Sequence, residues 1–124
     1  MRIALGFLVI LCFNPLSMGS DAAARQGLLQ EARERYAEGD YNAARDLCEE
    51  MARSAPLDSE VTSLLDKTST QLRRLASEAY EYGVEAEHMG MVSAARQYWT
   101  RAMNYVRSGD ALYTKIQAKR EQYQ

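Results

Sequence analysis

The sequence contains few of the residue types on which several protein classes depend. It has two cysteines, two prolines and one histidine among 124 residues. With His88 as its single histidine, the chain does not support an ordinary serine or cysteine hydrolase site, which pairs a nucleophile with a histidine base. Its glycines are too scattered to form a phosphate-binding loop. We therefore predict a protein that is not an enzyme and carries no cofactor.

Charge and hydropathy restrict the function further. The net charge of −2 argues against a dedicated nucleic-acid-binding protein. The longest apolar run covers residues 3–13, after Arg2 and before Pro15 and a group of small residues. This order of basic, apolar and small segments is typical of a secretory signal peptide. An 11-residue helix would be about 16 Å long, against about 30 Å of hydrocarbon, so we favour cleavage over a retained anchor.

We predict a signal peptide over residues 1–19 and a helical domain over residues 20–124, with cleavage after Gly19 or Ala22. The mature protein would be exported to the periplasm or cell envelope without a stable membrane span. Its one cysteine, Cys48, excludes an intramolecular disulfide, and we expect this side chain to pack as a small hydrophobic group.

The mature chain has an all-α pattern. Apolar residues recur at three- and four-residue steps between glycine-containing breaks, and no segment alternates as a strand would. The longest of these patterns covers residues 61–89 and predicts a long helix, whose continuity through residues 68–70 and Gly83 the sequence leaves open. Its apolar stripe consists of Val61, Leu65, Thr68, Leu72, Leu75, Ala79, Tyr82, Ala86 and Met89.

An internal repeat is visible when residues 36–44 are aligned with residues 87–95. The alignment pairs Gly39 with Gly90 and Ala44 with Ala95, 51 positions apart. We expect each glycine to take a positive φ at the end of a helix, and each alanine to allow two helices to approach closely.

This pattern resembles the tetratricopeptide repeat, a helix-turn-helix unit of 34 residues. The positions that carry the resemblance, or the helix contacts it implies, are Gly39, Ala44, Pro56, Gly83, Gly90, Ala95 and Trp99. The 51-residue spacing departs from the family, and so does Val92 at the position of the turn tyrosine. The resemblance implies two divergent antiparallel hairpins, a long bridging helix and a C-terminal capping helix, similar to small exported members in bacterial motility and secretion machinery.

The resemblance also implies a groove that binds a protein partner on the concave face of the first helix of each hairpin. The first copy would present Gln26, Leu29, Arg33 and Tyr36, and the second Ser77, Tyr80, Val84, Glu87 and His88. Two repeats are fewer than the three or so that make such stacks stable, so we expect association with a partner or with a second copy in a larger complex.

Two alternatives stay open. The stripe over residues 61–89 could form an antiparallel coiled coil in a structural homodimer, although Thr68, Ala79 and Ala86 make a weak zipper. Glu85 and His88 form an E-x-x-H pair, half of a di-iron ligand set, which would need a symmetric dimer to complete a metal site.

Overall fold

The computed structural model describes residues 22–55 and 58–124, and these residues form five helices and no strand. The all-α prediction is confirmed. Helix α1 is described over residues 22–37. The other helices are α2 at Tyr41–Ser54, α3 at Ser59–His88, α4 at Val92–Met103 and α5 at Ala111–Gln122. The predicted signal peptide over residues 1–19 and Pro56 lie outside the described residues.

The chain divides into two compact units after Leu64. Unit 1 contains α1, α2 and the first turns of α3, and unit 2 contains the rest of α3 with α4 and α5. The buried hydrophobic side chains of unit 1 are Leu29, Ala32, Ala44, Cys48, Met51, Val61 and Leu64. In unit 2 one cluster of buried residues consists of Ala79, Ala86, Ala95, Trp99, Ala102 and Ile116. The described residues of unit 1 therefore include no buried aromatic ring, whereas unit 2 is built around a tryptophan.

The same turn ends α1 and α3. Gly39 has a φ of +83° and Gly90 a φ of +77°, so the predicted positive φ is confirmed for both glycines. In each turn the glycine amide donates to the carbonyl three residues back, and the next amide donates to the carbonyl five residues back, at 2.8 to 3.0 Å. This pair of bonds defines a Schellman motif. Two helical hairpins thus have identical turns 51 residues apart.

The helices that follow the two turns begin differently. The Asp40 side chain accepts a hydrogen bond from the Ala43 amide at 3.3 Å and caps α2. Met91 stands at the equivalent position before α4 and offers no side-chain cap. Asparagine, aspartate and serine are preferred at this position because an oxygen there satisfies a free amide of the first turn. The second hairpin therefore lacks a stabilising bond that the first one has.

The predicted long helix is present as α3, which is continuous over 30 residues, a point that the sequence left open. Its buried face departs from the predicted stripe. Tyr82 is 53% exposed and Met89 74% exposed, while Ala76 and Gly83 are buried instead. An α-helix has 3.6 residues per turn, so a stripe with a period of 3.5 drifts by about 20° in each heptad. Over four heptads the drift turns the end of the stripe out of the core.

Candidate protein-interaction sites

The unit 1 part of the predicted groove lies on α1. Leu29 is only 4% exposed, so it belongs to the core. Arg33 is exposed and its Nη2 atom donates to Oε2 of Glu60 at 3.1 Å. The half-buried Tyr36 ring meets the edge of Tyr41, with a distance of 5.2 Å between ring centroids. This face of α1 thus presents a guanidinium and a tyrosine rather than a continuous apolar surface.

A cleft of about 260 Å³ opens beside this face, within unit 1. Its walls are formed by Ala22, Arg25, Gln26, Leu29, Met51, Asp58, Ser59, Glu60 and Val61. Leu29, Met51 and Val61 are buried and supply an apolar floor, whereas the other walls are mostly polar. Two residues of the predicted groove, Gln26 and Leu29, therefore line a real opening.

An ion pair fixes one wall of the cleft. Nη2 of Arg25 lies 2.6 Å from Oδ2 of Asp58. The other carboxylate oxygen of Asp58 accepts the amides of Glu60 at 3.0 Å and Val61 at 3.3 Å. The bond from the Val61 amide, followed by those from Arg25 and the Glu60 amide, lowers the pKa of Asp58 against the opposing effect of burial. Asp58 thus stays ionised, caps the start of α3 and orients Arg25.

The unit 2 part of the predicted groove lies on α3. Tyr80 is half-buried and packs against the Trp99 cluster, and its carbonyl accepts a hydrogen bond from Trp99 Nε1 at 3.3 Å. Val84 is partly buried, and His88 is the exposed last residue of the helix. Of the residues predicted here, Tyr80 therefore contributes to the core as well as to the surface.

Glu87 is already bound within the chain. Its carboxylate accepts Lys119 Nζ at 2.6 Å and the Tyr123 hydroxyl at 2.5 Å. Lys119 Nζ also lies 5.7 Å from the centre of the Trp99 ring, and the Tyr123 ring stacks on the same indole at 5.9 Å. We call these four residues the Glu87 cluster. A partner that binds Glu87 has to displace bonds from α5 and the residue after it.

These contacts shift the pKa values of the three ionisable side chains in the Glu87 cluster. The bond from Lys119, followed by that from Tyr123, lowers the pKa of Glu87. The bond to Glu87 raises the pKa of Lys119 and that of Tyr123. The sequence pattern did not reveal the cluster because Lys119 and Tyr123 lie 32 and 36 positions from Glu87.

An exposed apolar surface was also missed. Among the described residues, the exposed large hydrophobic side chains are Tyr82, Met89, Met91 and Val92, between the last turns of α3 and the start of α4. Tyr98 adjoins Tyr82, because the centroids of the two rings lie 5.6 Å apart. We call these five residues the Tyr-Met patch. The heptad pattern had assigned Tyr82 and Met89 to the buried stripe, so it concealed their exposure.

Several residues of the stripe proposed for a coiled coil are already buried. Val61, Thr68, Leu72, Ala79 and Ala86 are buried within the single chain. A coiled coil through them would require these side chains to leave their present contacts.

Glu85 and His88, the residues of the metal alternative, are both exposed. Within residues 22–55 and 58–124, no three His, Cys, Asp or Glu side chains gather in a group that could hold a metal ion. Cys48 is a free, buried cysteine, and burial raises the pKa of its thiol, with a smaller contribution from Glu49. A thiol of this kind is a weak nucleophile.

Comparison with family models, with curated proteins and with solved structures finds no match to this chain. In the part of the chain that the structure describes, no helix combines the length and the apolar character needed to cross a bilayer.

Proposed function

We propose that this protein is an exported, non-catalytic interaction module with two tetratricopeptide-like hairpins, and that it binds a protein partner within a periplasmic or envelope assembly of the motility or secretion type. The observation that carries the proposal is the unit 1 cleft. Gln26 and Leu29, which the repeat resemblance assigns to the partner groove, line this opening together with the start of α3.

The size of the cleft favours one or two side chains of a partner segment as the occupant. Small-molecule sites usually measure about 300 to 1,000 Å³, and the cleft has about 260 Å³. Its apolar floor and polar walls match a side chain with an apolar stem and a polar end.

The charge of unit 1 favours a basic partner. Residues 22–64 contain nine acidic and five basic side chains, a net charge of −4. Complementary charge accelerates association, and salt screens it beyond about 10 Å at 0.1 M. We therefore expect the partner segment to carry lysine or arginine and its binding to weaken as salt is added.

A substitution that fills the cleft tests the proposal. Gln26→Trp places a large ring at the opening, and Gln30→Trp makes the same change one turn later on α1, at an exposed residue that does not line the cleft. Both variants should keep the helical circular dichroism of the wild type. In cross-linked pull-downs from envelope extracts, the wild type and Gln30→Trp should recover the same partner. Gln26→Trp should recover about tenfold less of it, which corresponds to a loss of about 1.4 kcal/mol in binding free energy.

Equal retention by all three proteins would show that the cleft is not the binding site. Export is checked on protein isolated from the producing cells, whose mass should correspond to a chain that begins at Ser20 or Ala23. An intact mass that includes residue 1 would remove export by a cleaved signal from the proposal.

A further inference from the structure

The residues of the Tyr-Met patch lie on the last turns of α3, at the turn around Gly90 and on α4. Tyr82 on α3 contacts Tyr98 on α4, and Met89 and Met91 flank the turn at Gly90. Large apolar groups that are exposed together mark interaction surfaces more often than scattered ones do. Methionine is also common at binding surfaces because its side chain adapts to the shape of its neighbour.

Met91 gives an independent sign that this surface has a role beyond folding. It is 54% exposed, and it occupies the position before α4 where Asp40 caps the equivalent helix of the first hairpin. A side-chain cap at such a position contributes about 1 kcal/mol. The chain therefore forgoes local stability here and exposes an apolar side chain instead, as proteins do at functional sites.

One charged side chain of each sign lies about one turn from the tyrosine pair: Glu78 on α3 and Arg101 on α4. Arg101 lies over the Tyr98 ring, with Cζ 5.6 Å from the ring centroid. Glu78 forms an exposed ion pair with Arg74 at 2.8 Å, a kind of pair that is held weakly. An acidic side chain on α3 and a basic side chain on α4 thus flank the two tyrosines.

We propose that the Tyr-Met patch is a self-association surface that binds the same patch of a second copy of this chain. A twofold axis along the line between α3 and α4 would place α3 of each copy opposite α4 of the other. The tyrosines and methionines would meet those of the second copy. Because Tyr82 contacts Tyr98, the residues one turn farther from Gly90 on each helix, Glu78 and Arg101, lie at the same height along the hairpin. Each Arg101 would therefore face Glu78 of the second copy. This complementarity selects a second copy as the occupant.

Charge reversal provides the decisive test. In Arg101→Glu two acidic residues would meet across the interface, and in Glu78→Arg two basic residues would meet. We expect each single variant to dimerise at least about tenfold more weakly than the wild type in sedimentation equilibrium between about 1 and about 500 µM. In an equimolar mixture of the two variants, every facing pair becomes opposite in charge. The mixture should form heterodimers with an affinity within about threefold of the wild-type dimer.

Met91→Asp separates association from folding. The aspartate restores a cap for α4, so the melting temperature of the monomer should rise, while a charge in the middle of the patch should weaken the dimer at least about tenfold. Thr100→Asp is the matched control, since it makes the same charge change at an exposed residue of α4 that lines a shallow depression with Ser93, Arg96 and Gln97. It should dimerise like the wild type.

A wild-type protein that stays monomeric over the whole concentration range would overturn the proposal and leave the patch for a different protein. A dimer that is unaffected by Met91→Asp and by the charge reversals would overturn it equally, because the contact would then lie elsewhere. Neither result concerns the unit 1 cleft, which is tested separately with Gln26→Trp.

Discussion

The two hairpins have the same turn geometry but bury different pairs of side chains. With the turns aligned at 51 residues, Ala32 and Cys48 of unit 1 correspond to Gly83 and Trp99 of unit 2, and all four are buried. A Cβ atom on Gly83 would lie 2.2 Å from Trp99 Nε1. The comparison shows that one turn geometry serves two packings, because the loss of a methyl group on one helix makes room for an indole on the other.

The units also differ in charge and in what their turns expose. Residues 22–64 have a net charge of −4, whereas residues 65–124 carry seven acidic and nine basic side chains, a net charge of +2. The first turn is followed by the capping Asp40 and the half-buried Tyr41, and the second by the exposed Met91 and Val92. Equivalent positions thus support local stability in unit 1 and an apolar surface in unit 2.

The largest expected effect is that of Gly83→Ala. The added methyl group would overlap the indole of Trp99, which is 0% exposed and held by Tyr80, Lys119 and Tyr123. Overpacking of this kind costs typically 1–3 kcal/mol and occasionally more, and we expect about 3 kcal/mol here. Urea unfolding followed by Trp99 fluorescence measures the loss, because Trp99 is the single tryptophan.

Gly27→Ala is the matched control for this substitution. Gly27 is an exposed residue inside α1, and a Cβ atom added there meets nothing within 4 Å. Alanine is preferred over glycine in helices, so this change should stabilise the protein by about 0.5–1 kcal/mol. If the two substitutions had effects of the same sign, the contrast between the units would not rest on the indole.

A smaller effect is expected for the energetic coupling between Gly83 and Trp99. Trp99→Phe removes part of the ring that faces Gly83 together with the hydrogen bond to Tyr80. In that background Gly83→Ala should cost about 2 kcal/mol less than in the wild type, since residues in contact couple by 0.5–3 kcal/mol. Circular dichroism in urea provides the free energies of unfolding of the wild type, the two single variants and the double variant. Additive costs would show that Gly83 and Trp99 act independently.

The smallest effect concerns the Glu87 cluster. A lowered pKa means that the Glu87 carboxylate stabilises the fold at neutral pH and that this contribution is lost as the pH falls through the lowered pKa. The pKa values of Lys119 and Tyr123 are raised, so their contributions are lost as the pH rises through the raised values. We expect Glu87→Gln to cost about 1 kcal/mol at pH 7. The difference from the wild type should shrink below about pH 4.

Urea unfolding of both proteins at neutral and acidic pH, followed by Trp99 fluorescence, checks this expectation. A cost that is the same at both pH values would assign the effect of Glu87→Gln to packing rather than to charge.

The features that the sequence predicted correctly are those set by neighbouring residues. Gly39 and Gly90 take a positive φ at helix ends because the conformation depends on the glycine itself. The helices follow from apolar spacing between these breaks, and Cys48 is buried as expected from its place on the inner face of α2.

The features that the sequence did not predict depend on distant residues or on small angular errors. Glu87 was assigned to a partner groove, and its bonds to Lys119 and Tyr123 depend on how α5 packs. The exposure of Tyr82 and Met89 results from a drift of about 20° per heptad, which a list of apolar positions does not contain. The cleft in unit 1 combines α1 with the start of α3, so only the folded chain brings its walls together.

The contact between Gly83 and Trp99 also restricts the order in which substitutions can accumulate. Starting from an alanine and a cysteine, as at positions 32 and 48, glycine has to appear first, because glycine in a helix costs only about 1 kcal/mol. Tryptophan opposite alanine would place ring atoms where the methyl group lies. In the reverse direction the tryptophan has to be lost before the glycine. The two positions therefore depend on each other, because the glycine makes room for the tryptophan and the tryptophan disfavours any larger residue at position 83.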